Sequence, residues 1–349
     1  MTAASLGRVA GALAIGAVGG GGFWWAGLPL PWMTGAMCAT TVASLSGVPL
    51  RGPVRLRTAM VAVLGLMLGS AFTPDIIDKL PRWPASLAAL AVFVVIVGGG
   101  LCFALRRWAG FSLATAYFSA APGGLSQMSL VGAAMGGDDR TISLMHTVRL
   151  MLTVLVIPLW FRFFEGYVPG ERSDAAWFAG VDAAEAAILA VCAVAGVWLA
   201  TRLRVPAAAL VGPTVLSAAV HLVGISEAGP PDALVAAAQV VLGTGLGCRF
   251  AGVSLRRVIG VIGIAAGTTV LLMAAAALAA AVLHQALGLP FAALLLAFSP
   301  GGVVEMSLIS VAMGVDIAFV STHHFLRIFL IVLLAPLVFS ALTRAKGRE

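Results

Sequence analysis

The chain has 349 residues, 61% of them apolar and only 10% charged, with a formal net charge of +7 and a mean hydropathy of +1.06. Soluble domains carry about 25% charged residues. This composition therefore excludes a soluble enzyme or a soluble nucleic-acid-binding module, and it predicts an all-α polytopic membrane protein.

The first apolar stretch follows Arg8 and continues through "GGGGFWWAGLPLPW" into a second, with no clean cleavage pattern. It reads as a transmembrane helix rather than a signal peptide. Ten spans are predicted in chain order: 8–27, 29–49, 56–74, 83–105 and 140–163, then 181–201, 206–223, 232–250, 258–281 and 318–341. Residues 258–304 contain no Asp, Glu, Lys or Arg. That run is more than twice the about 20 residues of one span, so it holds more than one element. Cys38, Cys102, Cys192 and Cys248 fall in or at the ends of spans without a CxxC pair. They read as small buried apolar residues.

"APGGLSQMSLVGAAMG" begins at Ala121 and "SPGGVVEMSLISVAMG" at Ser299, an interval of 178 residues. The same interval matches Gly65 and Gly69 with Gly243 and Gly247, Asp138 with Asp316, His146 with His324, and Arg149 with Arg327. Gly35 meets Gly212 with a slip of one residue. Asp, His and Arg are rare here, so their matches carry the weight, and they predict an internal duplication. Repeat 1 spans 1–165, a polar linker 166–180, and repeat 2 181–349.

Lys and Arg decide how each half is threaded. The clusters at Arg51–Arg57, Arg106–Arg107, Arg202–Arg204, Arg249–Arg257 and Arg344–Arg348 fall on one side if each PGG segment dips in and returns. If the segments cross instead, the positive-inside rule fails for the second half. The expectation is two inverted-topology repeats, each of five transmembrane helices plus one re-entrant helical hairpin with a PGG tip, at 110–137 and 288–315. Both termini are then cytoplasmic, an arrangement common in secondary transporters.

At the tips, Pro122-Gly123-Gly124 and Pro300-Gly301-Gly302 end one half-helix and start the next. A half-helix start offers unpaired N–H groups to an anion, and a half-helix end offers carbonyls to Na⁺. Ser126 and Gln127, or Glu305 in the second half, follow within one turn. The alternative is a Pro/Gly kink serving close packing. His146 and Arg149 share one helix face, as do His324 and Arg327. Arg149 and Arg327 are expected to converge near the tips and bind an anionic group, or else to pair structurally with Glu305. Glu305 binds Na⁺, carries a proton or neutralises an arginine. Asp138 and Asp316 cap their helices or take part in ion coupling. His146, His323 and His324 do not make a metal site, because adjacent helical histidines diverge. No cofactor is expected beyond Na⁺ as a candidate coupling ion, and no catalytic constellation suggests an enzyme.

At the two PGG motifs with their downstream H-x-x-R, the chain resembles the AbrB family of bacterial inner-membrane proteins, which is defined by such a duplicated segment. The resemblance covers nearly the whole chain and implies an inner-membrane location. Gln127 departs from the acidic residue common at its position. Family members carry labels of regulator or ammonia monooxygenase, and the residues here support neither. The architecture also resembles sodium-coupled citrate and glutamate symporters, by analogy alone.

The expected function is secondary active transport of a small anionic, carboxylate-bearing solute coupled to Na⁺ or H⁺. The site lies between the hairpin tips, within the lipid bilayer, and a homodimer is a candidate assembly. The alternative is a ligand-binding membrane sensor or regulatory protein that does not transport.

Overall fold

The computed structural model describes residues 3–123, 125–164, 177, 181–253 and 255–346. Gly124, the linker apart from Trp177, and the side chain of Ser126 lie outside the described residues. Every regular element described is helical. In chain order these are α1 (Ala3–Trp25), α2 (Pro31–Leu45), α3 (Val54–Ser70), the single turn α4 (Ile76–Lys79), α5 (Pro84–Trp108), α6 (Leu113–Ala120), α7 (Leu125–Ala134) and α8 (Asp139–Phe164). There follow α9 (Ala183–Arg202), α10 (Ala208–Leu222), α11 (Asp232–Gly247), α12 (Leu255–Leu287), α13 (Phe291–Phe298), α14 (Val303–Ala312) and α15 (Ile317–Lys346).

Each predicted span forms a helix. Among the described residues, seven helices are long and apolar enough to cross a membrane: α1, α5, α8, α9, α11 with its 3₁₀ extension to Phe250, α12 and α15. The other three stop short. α2 and α10 have 15 residues each and α3 has 17, or about 22–26 Å of helix. Their ends explain the shortening. α2 and α10 start abruptly behind left-handed residues, Leu30 (φ 49°) and Ala207 (φ 54°), while α3 starts before its predicted residue 56 and ends early, at Ser70. In the other direction, α12 has 33 residues, longer than its predicted span.

The chain divides into two compact units. The first contains residues 1–79, 155–254 and 307–318, and so α1 to α4 and α9 to α11. Its helices cross on glycine. A Cβ built on Gly35 would lie 2.2 Å from the Gly19 carbonyl oxygen, and one on Gly212 would lie 2.0 Å from that of Gly196. α3 meets α10 in the same way, with Gly65 against Leu210 and Gly69 against Thr214. α11 meets α2 with Gly243 against Met33 and Gly247 against Met37. A membrane supplies no hydrophobic drive between helices, so backbone approach over small residues takes its place. The glycines of α3 and α11 are the ones matched by the 178-residue interval. Each packs its helix against a helix from the other half of the chain.

The second unit contains residues 80–154, 255–306 and 319–349: α5 to α7, α12, α13 and most of α8 and α15. Its apolar core holds Phe118, Met128, Ile142, Ile331 and Phe339, all buried. The Phe118 and Phe339 rings lie 5.2 Å apart. Tyr117 Oη donates to the Ala335 carbonyl oxygen at 3.0 Å, which fastens α6 to α15.

Candidate functional site at two broken helix pairs

Both PGG segments are pairs of short helices separated by a break. α6 has 8 residues and α7 has 10, about 12 and 15 Å. These are shorter than the 12- and 14-residue legs the sequence suggests. Ser112 is the reason at the start: its Oγ accepts from Thr115 N at 3.2 Å and sets the first turn of α6. Gly136, at φ 84°, ends α7 as a left-handed terminator. Asp138 N donates to Thr115 Oγ1 at 3.0 Å. That bond ties the end of α7 to the start of α6, so the segment folds back on itself. At the turn Gly123 has φ 147°, a conformation L side chains rarely adopt. α13 and α14 repeat the lengths of 8 and 10 residues around the break Ser299–Gly302.

The two arginines reach these breaks. Arg149 donates from Nη1 to the Ala121 carbonyl oxygen at 2.8 Å and from Nη2 to that of Ser119. Arg327 donates from Nη1 to the Ser299 carbonyl oxygen at 2.6 Å and from Nη2 to that of Gly301. Ser119 lies in the last turn of α6, and Ala121 and Ser299 are the C-caps of α6 and α13, where the helix dipole is negative; the Ala121 and Ser299 oxygens also accept from Gly123 N and Gly301 N. The sequence offered Glu305 as the structural partner. The terminal nitrogens of both guanidinium groups donate to main-chain oxygens.

The histidines extend the arrangement. His146 Nε2 meets the Phe118 carbonyl oxygen at 2.9 Å, and His324 Nε2 meets that of Leu296 at 2.9 Å. Carbonyls only accept, so both Nε2 atoms carry the proton. Arg327 Nη2 also contacts His324 Nδ1, and as a guanidinium can only donate, Nδ1 accepts. Both nitrogens of His324 are therefore engaged.

Arg149 and Arg327 are 2% and 1% exposed. A Cβ built on Gly123 would come within 3.8 Å of Arg327 Nε, which sets the tip of the first pair beside the second arginine. The Nε atoms of both arginines are buried without a hydrogen-bond partner among the described residues. Such a donor costs about 1–3 kcal/mol if nothing accepts from it, and more when charged.

The other predicted residues fall as follows. A Cβ on Gly302 would lie 2.0 Å from Glu305 Oε2, so the Glu305 carboxylate folds back over the residue preceding α14. This is the N3-to-N-cap geometry of a capping box. Gln127 is half-buried in the first turn of α7, and Pro122 and Pro300 are buried at the breaks. Asp138 Oδ1 accepts from Arg140 N at 3.2 Å, as a cap of α8. Asp316 precedes α15 and pairs with Lys79 at 3.4 Å.

Sequence reasoning missed three groups in the second unit. Among the described residues, Ser119 Oγ, Ser129 Oγ and Thr153 Oγ1 are buried without partners, and Thr153 sits one turn beyond Arg149 on the same face of α8. Ser129 had a signal, since it matches Ser307 at the 178-residue interval. Ser119 and Thr153 had none.

The family model described as "Transition state regulatory protein AbrB" matches residues 32–343. The chain belongs to the AbrB family. Among AbrB-like relatives, "Uncharacterized protein YhjN" of Bacillus subtilis (strain 168) is 26% identical, covering 97% of this chain and 94% of the relative. "Putative regulator AbrB" of Escherichia coli (strain K12) is also 26% identical, with 89% of each chain covered.

Proposed function

We propose that this AbrB-family chain is a secondary active transporter of a small, carboxylate-bearing anion coupled to Na⁺ or H⁺. The observation that carries this reading is the pair of buried guanidinium groups at two helix breaks, each with an Nε–H that has no acceptor among the described residues. A carboxylate between them would satisfy both donors and offset two buried positive charges. Ser119 and Thr153 add unpartnered hydroxyls, and Glu305 at the start of α14 is the group to hold a cation or proton.

The two PGG pairs are read as re-entrant hairpins in inverted repeats, with both termini cytoplasmic. The fold-back at Asp138–Thr115 and the placement of Lys and Arg along the chain support that reading. Alternating access then opens the site between the tips to each side in turn. The test is gradient-driven uptake by the full chain in proteoliposomes, across radiolabelled mono-, di- and tricarboxylates. Uptake that collapses with the ion gradient and is lost in Arg149→Ala and Arg327→Ala supports the reading. Saturable binding with neither uptake nor counterflow would favour a ligand sensor instead, the reading that the word "regulatory" in the family description suggests.

A further inference from the structure

A cavity of the second unit reaches the first helix break at Ala121 and Pro122. It is an open groove of about 810 Å³ between α5, α6 and α15. Val94, Gly98 and Gly99 of α5 line one wall, with Tyr117 and Pro122 of the first broken pair and Ile331 of α15 facing them. The Tyr117 hydroxyl is engaged by Ala335, so the ring presents only apolar surface. Polarity enters at one end, where Arg106 and Arg107 close the groove in the exposed last turn of α5.

The groove runs from Ala91 to Arg107 along α5, about 24 Å by helical rise. One leaflet of hydrocarbon is about 15 Å thick, so a full acyl chain fits along it. The glycines that open the groove face open space. A Cβ built on Gly98 or Gly99 would meet nothing within 4 Å, unlike the tightly apposed glycines of the first unit. Gly inside a helix costs about 1 kcal/mol against Ala, and here it leaves space rather than close packing.

We infer that this groove binds an anionic phospholipid of the surrounding bilayer, with its phosphate at Arg106 and Arg107 and an acyl chain lying over Gly98 and Gly99 as far as Pro122. Charge complementarity selects the headgroup. Two guanidinium groups at the end of an otherwise apolar channel suit an amphiphile with one negative end. A second copy of the chain would have to bury both arginines, and a free anion would leave the apolar length empty. The lipid tail would end against the break in the first helix pair, beside the Ala121 carbonyl that Arg149 holds.

The test is native mass spectrometry of the full chain in detergent, titrated with phosphatidylglycerol and with phosphatidylethanolamine of the same acyl chains. The wild type is expected to retain phosphatidylglycerol in preference to phosphatidylethanolamine. Arg106→Gln/Arg107→Gln should weaken phosphatidylglycerol on the order of thirtyfold and erase the preference. Gly98→Leu/Gly99→Leu should lose both lipids while keeping or raising its melting temperature. If that variant melts early, the arginine variant alone decides. A wild type with no headgroup preference, a filled-groove variant that binds both lipids normally, or a second chain cross-linked through Val95→Cys would each overturn the assignment.

Discussion

Arg149 Nη1 donates to the carbonyl oxygen of Ala121, 28 residues upstream, and Arg327 repeats the contact on Ser299 at the same separation. Each arginine thus holds the last carbonyls of a short helix that ends inside the protein. The guanidinium sits where the helix dipole is negative, which makes a buried positive charge tolerable. The Nε atoms of both side chains have no hydrogen-bond partner among the described residues, and the proposed function assigns them to the ligand.

Removing either arginine therefore carries a stability cost separate from any loss of binding. Arg149→Ala removes one donor from each of the Ser119 and Ala121 carbonyls, Ala121 keeping that of Gly123 N, and is expected to destabilise by about 1–3 kcal/mol. Arg149→Lys should recover only part of this, since one ammonium cannot reproduce the planar fork. Thermal unfolding of the purified variants measures both, and an Arg149→Ala protein as stable as wild type would contradict the pinning role.

Glycine substitutions should separate into two classes. Gly212→Ala would set a Cβ 2.0 Å from the Gly196 carbonyl oxygen, a backbone collision costing about 1–3 kcal/mol. Gly99→Ala meets open space and should be neutral or stabilising by up to about 1 kcal/mol. Melting temperatures that move in the same direction for the two would argue against the crossing of α9 and α10 described above.

Glu305→Gln makes the second broken pair match the first, where Gln127 stands. The fold should persist, because Gln serves the same N3 position in a capping box. If Glu305 holds the coupling cation or proton, uptake in the variant should no longer respond to the ion gradient while exchange of preloaded solute continues. Unchanged gradient dependence would remove Glu305 from coupling.

Asp138 and Asp316 should differ from the arginines in scale. Asp138→Ala loses a cap of α8 and is expected to cost about 1 kcal/mol. Lys79→Ala breaks an ion pair whose lysine is 56% exposed, and should change stability by less than about 0.5 kcal/mol. Thermal or denaturant unfolding distinguishes the two.

The sequence made the helices and both breaks legible, because charge-free runs and the doubled Pro-Gly-Gly are local features. The 178-residue interval also singled out the His–Arg pairs and the glycines of α3 and α11. It did not show which helix each glycine meets, since periodicity describes a helix and not its neighbour. The partners of Arg149 and Arg327 stayed hidden for a related reason. They are main-chain oxygens of Ser119, Ala121, Ser299 and Gly301, exposed by the local end of a helix, and residue type records none of that. The short lengths of α2 and α10 depend on left-handed Leu30 and Ala207, positions that composition gives no reason to suspect.

The most direct test of the paired-arginine site is the melting temperature of the purified full chain across a panel of small mono-, di- and tricarboxylates, in Na⁺ and in K⁺, for wild type and Arg327→Lys. The account predicts that at least one carboxylate raises the wild-type value by about 5 °C or more near saturation, and that the same compound leaves Arg327→Lys unmoved. Equal shifts in both proteins, or stabilisation by uncharged solutes alone, would contradict an anion held between Arg149 and Arg327.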